Sequence, residues 1–250
     1  MTISDTNRPY IVDNNNINIP LSRDLSKYPN GIIISINKPL NWTSADVVRK
    51  VKFSLQRFFS TKNIKVGHAG TLDPLATGIL LICIGKATKL ADILQSQVKE
   101  YIATIQFGAT TPSYDLETPI DQKYPFEHIN TESINRILPE LTGEIDQIPP
   151  IFSAKLIDGN RAYELARAGI QKELKASKIT IYNLEIIKYI SPDLTIAIKC
   201  SKGTYIRSFA RDLGLSLDSG AHLTALIRSC SGDFYIQNSV SLDQMKLFIE

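Results

Sequence analysis

The stretch that most limits what this chain can fold into is Gly67-His68-Ala69-Gly70-Thr71-Leu72-Asp73-Pro74-Leu75-Ala76-Thr77-Gly78. Three glycines, a histidine, an aspartate and a proline fall within twelve residues, and Ile79 to Ile84 then runs almost wholly apolar. That pattern predicts a tight loop feeding a buried strand. Glycine allows close backbone approach or positive φ, and proline fixes the chain directly after Asp73. A carboxylate on a stiff loop beside a core strand is a natural place for a catalytic group. Read from the residues alone, Asp73 serves equally well as a turn-capping Asp-Pro.

The flanking sequence alternates strands and short helices, a pattern compatible with an α+β chain. Gly31 to Ile36 reads as a buried strand, and Thr43 or Ser44 can cap a helix whose Val47, Val48, Val51, Leu55, Phe58 and Phe59 recur at three- and four-residue steps. Further strands are expected over 79–84, 99–107, 178–190 and 194–200. Helices are expected over 86–95, 131–138, 161–168 and 241–250. Residues 119–130 read as an acidic surface excursion. Residues 1–30, with the polar run Asp13 to Asn16, read as a flexible tail, leaving 31–250 as the catalytic domain.

The three cysteines, Cys83, Cys200 and Cys230, and the histidines, His68, His128 and His222, have no metal-ligand spacing. No P-loop pattern is present. The polar N-terminus and the lack of an apolar run near ~18 residues argue for a cytoplasmic protein without a membrane contact. Net charge is only +3, but residues 31–100 carry ten Lys/Arg against four Asp/Glu, while residues 101–150 carry two against eight. The loop therefore lies in the most basic part of the chain, as contact with a phosphate-bearing partner would require.

G-H-x-G-x-L-D-P-x-A-x-G resembles the catalytic-loop signature of the tRNA pseudouridine-55 synthases, the TruB type. Other motifs follow in order. Lys38-Pro39 with Thr43-Ser44 resembles the family's first motif, with Asn41 in place of the usual glycine. Lys99-Glu100-Tyr101 resembles its K-x-Y. Gly108 to Glu117 resembles G-x-x-T-x-T-x-D-x-x-G, with Pro112-Ser113 for the usual Asp-Thr and Thr118 near the expected glycine, so no catalytic role is carried to Asp115. Pro149-Pro150-Ile151-Phe152-Ser153-Ala154 is similar to the family, although Lys155 stands one place early. Gly203-Thr204-Tyr205-Ile206-Arg207 matches at every position, and Ala221-His222 with Leu226 and Arg228 resembles A-H-x-x-x-L-x-R.

The resemblance covers roughly residues 31–245. It implies a mixed, mainly antiparallel sheet flanked by helices with a central active-site cleft, the pseudouridine synthase fold. It implies isomerisation of uridine 55 in the tRNA T-arm without metal or cofactor, by a monomer needing no obligate protein partner, and it leaves no room for the family's C-terminal PUA domain. Asp73 becomes the essential carboxylate, attacking C1′ or removing the C2′ proton. Arg207 keeps Asp73 ionised, Tyr101 stacks on the uracil, and Tyr205 lies at the reaction centre. His68 fills the place of the flipped base, Leu226 touches substrate, and Lys38 belongs to the substrate-binding set. On its own, Arg207 at a helix start reads as a surface residue and Tyr101 as a strand-packing one. A tRNA-binding or folding module with secondary or lost catalysis, and a guided dyskerin-like enzyme, are the other readings.

Overall fold

A computed structural model describes residues 8–153, 156–157, 160–161 and 174–249. The chain divides into two compact units, Met1–Lys99 with Ile227–Glu250, and Glu100–Leu226.

In the first unit β1 (Tyr10–Val12) runs parallel to β2 (Ile32–Lys38), with Tyr10 opposite Ile32. Val12, Ile17 and Leu21 are buried in the core. The flexible tail expected over 1–30 is thus not what the structure holds from Arg8 onward: three apolar side chains are enough to tie it to β2 and the helix beyond. That helix, α1 (Ser44–Phe58), begins where Thr43 accepts from the Asp46 amide and Asp46 reciprocates, a capping box. Its buried stripe of Val47, Val51, Leu55 and Phe58 packs on Ile32, Ile34 and Ile36 of β2. β3 (Val66–Ala69) and β4 (Ala76–Ile84) bracket the glycine-rich loop. β4 is antiparallel to β2, with Lys38 opposite Gly78, and to β3, with Ala69 opposite Leu81. Leu80, Ile82 and Ile84 join the α1 side, while Ile79, Leu81 and Cys83 pack on Ala87 and Leu94. Burial on both faces explains the continuous apolar run. The helix expected over 86–95 is a 3₁₀ segment, Gly85–Leu90, followed by α2 (Ala91–Ser96).

In the second unit lie β5 (Lys99–Phe107, whose first residue still belongs to the first unit), the small pair β6 (Ala109–Thr110) and β7 (Gln122–Lys123), and α3 (Thr131–Ile137), capped by Asn130. β8 (Gly143–Gln147) follows, then the two-residue strands β9 (Leu156–Ile157) and β10 (Asn160–Arg161). Arg161, the expected start of a helix, lies in β10, whereas the rest of that helix and Lys155 fall outside the described residues. The long strand β11 (Ser177–Ile190) is antiparallel to both β8 and β12 (Asp193–Cys200). α4 (Ile206–Ser216) lays Phe209, Ala210 and Leu213 on Ile105, Phe107, Ile181, Ile196 and Ile198.

The chain returns through β13 (Ala221–Ser231), whose residues from Ile227 onward belong to the first unit. β14 (Phe234–Tyr235) pairs with it, and α5 (Lys246–Ile249) closes the chain with Val240, Met245 and Phe248 in the α1 core. The architecture is α+β with a mixed, mostly antiparallel pairing of strands, as expected. No helix among the described residues is long and apolar enough to cross a membrane.

Candidate active site

Half-buried Asp73 occupies the loop between β3 and β4, and its carbonyl accepts from the Ala76 amide at 3.1 Å. The loop is held at several points by its own unit. On its approach, the hydroxyl of buried Ser44, the first residue of α1, accepts from the Leu72 amide at 2.9 Å and donates to the Leu72 carbonyl at 3.1 Å. Just past Asp73, the Pro74 carbonyl accepts from the Asn41 amide at 2.9 Å and from Lys38 Nζ at 3.3 Å. At the exit, the Gly78 amide donates to Asn37 Oδ1 at 3.2 Å. Asn41 has φ +64°, so the asparagine standing for the family's glycine adopts the left-handed conformation that such a turn requires.

Lys38 also donates to the carbonyls of Pro39 at 2.9 Å and Trp42 at 2.6 Å. Its side chain is fully buried. Burial pulls its ammonium down to about 8, against the pull of Asp73 in the other direction. His68, on β3, is half-buried and its pKa is lowered, chiefly by burial and then by the Arg228 charge. A neutral ring follows. Arg228, on β13, donates through Nε to Ile79 O at 2.7 Å and through Nη2 to Gly70 O at 3.0 Å.

In the second unit, the buried amide of Gln147 grips the backbone of Tyr205 from both sides. Gln147 Oε1 accepts from the Tyr205 amide at 2.8 Å and Gln147 Nε2 donates to its carbonyl at 3.1 Å. This grip sets the start of α4, where Arg207 follows. Arg207 is 4% exposed, which overturns the surface reading. Its Nη1 donates to Ser113 O at 3.2 Å and Nη2 to Phe152 O at 2.8 Å, and Nε lies 3.7 Å from Asp115 Oδ2. Asp115 is thus a buried partner of Arg207, though no role was carried to it. Thr118, in place of the expected glycine, secures this turn through hydrogen bonds to Ser113. Tyr101, Tyr205 and Leu226 are half-buried, and Tyr101 and Leu226 flank the second unit's core. His222 is buried, with Nδ1 3.0 Å from Ala109 O, as a packing histidine should be. The three cysteines are buried, and no cluster among the described residues could hold a metal ion.

Comparison with known proteins adds to these motifs. Residues 56–206 match the TruB family pseudouridylate synthase (N terminal domain). The chain is 50% identical over 223 residues to a tRNA pseudouridine synthase B of Phocaeicola vulgatus, covering 89% of this chain and 95% of that one. It is 52% identical over 210 residues to the protein of that name from Bacteroides fragilis, covering 84% and 90%. The chain belongs to the TruB family of pseudouridylate synthases. A solved structure titled as a Cbf5-Nop10-Gar1 complex contains a similar chain, with TM-score 0.64 and 26% identity over 84% of this chain. This TruB-family chain spans about half of that protein's length, 52%.

Set on this TruB-family chain, the predicted site residues fall in two groups. Lys38, His68 and Asp73 belong to the first unit, and Tyr101, Tyr205, Arg207 and Leu226 to the second. Lys38 was expected to bind substrate, yet its ammonium is spent on three carbonyls of its own unit. The sequence reading missed Ser44, Gln147 and the hold of Arg228 on the loop. Of these Arg228 carried a signal as the last letter of A-H-x-x-x-L-x-R and Ser44 as the last residue of the first motif, whereas Gln147 carried none.

Proposed function

We propose that this chain isomerises uridine 55 in the T-arm of tRNA to pseudouridine. The observation that carries the reading is half identity, along nearly the whole of both chains, to proteins named tRNA pseudouridine synthase B. Asp73 is the essential carboxylate, acting at C1′ or C2′ of the ribose. A carboxylate in this role must be ionised and rigidly aimed, and the bonds at Leu72, Pro74 and Gly78 support rigidity. Lys38 acts by holding the loop rather than by touching RNA. Arg207 is the cation that keeps Asp73 ionised, and its own aim is supported by Ser113, Phe152 and Asp115. Tyr101 stacks on the uracil, a contact worth about 1–3 kcal/mol, Tyr205 serves the proton transfers, and Leu226 packs on the base. The target nucleotide leaves its stack at a cost of a few kcal/mol. A neutral His68 suits the place left behind, because it stacks without a desolvated charge.

An anionic partner is supported by α1. Arg49, Lys50, Lys52 and Arg57 share its exposed arc with Phe53, which is 60% exposed, and Arg57 lies 5.8 Å above the Phe53 ring. Such a face suits an RNA backbone. The enzyme acts as a monomer in the cytoplasm and needs no guide RNA.

The test is incubation with unmodified tRNA and no additive, followed by carbodiimide-blocked reverse transcription, with Asp73→Asn alongside. A stop at the T-arm uridine, absent in the mutant, is the expected result. Salt-sensitive tRNA binding without any stop would instead favour a binding or folding module. Activity appearing only with added protein or guide RNA would favour a guided enzyme.

A further inference from the structure

We propose that Arg228 is a positioning residue for the reaction: it holds the Asp73 loop from the neighbouring strand and keeps a positive charge beside it. The inference rests on the reading of Asp73 as the reacting carboxylate. Arg228 is 2% exposed, among the largest side chains that the protein buries. Its Nε donates to Ile79 O at 2.7 Å, Nη1 to Thr71 O at 3.3 Å and Nη2 to Gly70 O at 3.0 Å. Two of these carbonyls precede Asp73 and one follows it, so a single planar group spans the loop at its base. Guanidinium presents its donors in a fixed fork, which an ammonium cannot reproduce.

The main chain of Arg228 reinforces the hold. Gly78 has φ +99°, and a Cβ there would lie 2.3 Å from the Arg228 carbonyl oxygen and 2.7 Å from its nitrogen. The loop exit is therefore seated directly on the Arg228 backbone. Gly70, at φ +92°, would carry a Cβ 3.6 Å from Nη1. Both glycines are needed where they stand, one for contact and each for conformation.

The charge is the second half of the argument. Among the described residues no carboxylate lies within ion-pair distance of Arg228, and its guanidinium donates to three backbone carbonyls. A buried cation without a carboxylate is costly, and an apolar side chain of similar volume would pack there more cheaply. The field has receivers close by: it helps to keep His68 neutral and it acts on Lys38. The titratable groups around the loop are thus Lys38, His68, Asp73 and, through Lys38, Asp46. Asp73 is the acidic member on the loop itself. A cation beside it favours its ionised form and resists its protonation as pH falls.

The experiment compares wild type, Arg228→Lys, Arg228→Gln and Asp73→Asn in single-turnover pseudouridine formation from pH 5 to 9, with tRNA Kd measured in parallel. Arg228→Gln should lower the single-turnover rate by about a hundredfold, leave Kd within about twofold, and move the acidic limb of the rate profile to higher pH. Arg228→Lys keeps the charge and should keep the limb near its wild-type position, while its rate stays at least about tenfold down because the fork is lost. A merely structural arginine would lower thermal stability and active fraction without moving the limb. A folded Arg228→Gln with wild-type rate and limb would overturn the proposal. So would failure of both variants to fold, which would make Arg228 a core residue only. If Asp73→Asn stays active, the reading of the loop itself fails, whatever the Arg228 variants do.

Discussion

Lys38 makes a sharp prediction about pH. Its ammonium has three hydrogens and holds three carbonyls, those of Pro39, Trp42 and Pro74. The neutral amine has only two hydrogens to donate. With its pKa pulled down to about 8 by burial, Lys38 is mostly charged at pH 7 and only about one-tenth charged at pH 9. Deprotonation therefore withdraws one donor from this set, in which, among the described residues, only the Pro74 carbonyl has a second partner, the Asn41 amide, and it removes a positive charge near Asp73. A hydrogen bond withdrawn in this way costs about 0.5–1.5 kcal/mol net. If that cost falls on the aim of the loop, turnover drops about two- to thirteenfold. Single-turnover release of tritium from 5-labelled uridine in tRNA should thus decline above about pH 8. Lys38→Met should be slow throughout and lack that decline. Stability runs the other way. The folded pKa lies below the unfolded value, so the group's stabilising contribution is largest above the unfolded pKa near 10.5 and is lost as pH falls through about 8. Between these values the Lys38 contribution to stability rises with pH while activity falls, which separates the effect from alkaline unfolding. A Lys38→Met protein that keeps the same descending limb would refute the reasoning.

Further outcomes follow from other residues. Gly78→Ala should destabilise the first unit by about 3 kcal/mol or more, because it combines a left-handed φ with a clash against the Arg228 backbone; a thermal melt or soluble yield checks it. Ser44→Ala leaves the Leu72 amide and carbonyl without their hydroxyl. It should cost about 1–3 kcal/mol and reduce turnover more than tRNA affinity. Asp115→Asn removes a charge facing buried Arg207, which keeps its Ser113 and Phe152 acceptors, and should cost about 1–3 kcal/mol by calorimetry. Replacing Arg49, Lys50, Lys52 and Arg57 of α1 by glutamine should lower the slope of log Kd against log salt by about 3 if each contacts a phosphate; an unchanged slope would remove α1 from the RNA interface.

Periodicity and turn chemistry revealed the local elements. The α1 stripe, the apolar run of β4 and the alternation of β5 each appear where their patterns put them. The loop around Asp73 was legible because glycine, proline and aspartate act locally. The residues that hold it were not, because their partners are backbone carbonyls far away in sequence. Ser44 meets Leu72 across 28 residues and Arg228 meets Gly70 across 158, and a carbonyl has no letter in a sequence. The burial of Lys38 was hidden for a related reason: its three acceptors are backbone carbonyls, and the sequence does not display them. Arg207 likewise needed its partners Ser113, Phe152 and Asp115 to leave the surface. The start of the chain failed differently, since its polar letters hid three spaced apolar ones, Val12, Ile17 and Leu21.

The path of the chain also sets an order of assembly. The first unit begins at the amino end, is interrupted by residues 100–226, and is finished only by Ile227–Glu250. Its core needs Val240, Met245 and Phe248, and its loop needs Arg228. On the ribosome, therefore, the second unit has its whole sequence available while the first is still waiting for its last strand. The segment bearing Asp73 leaves the exit tunnel early but acquires its shape last. A nascent chain arrested before Ile227 carries every residue of the proposed catalytic set but lacks Arg228 and the Val240, Met245 and Phe248 side chains of the first unit's core. Such a fragment is expected to be inactive on tRNA until that segment is added.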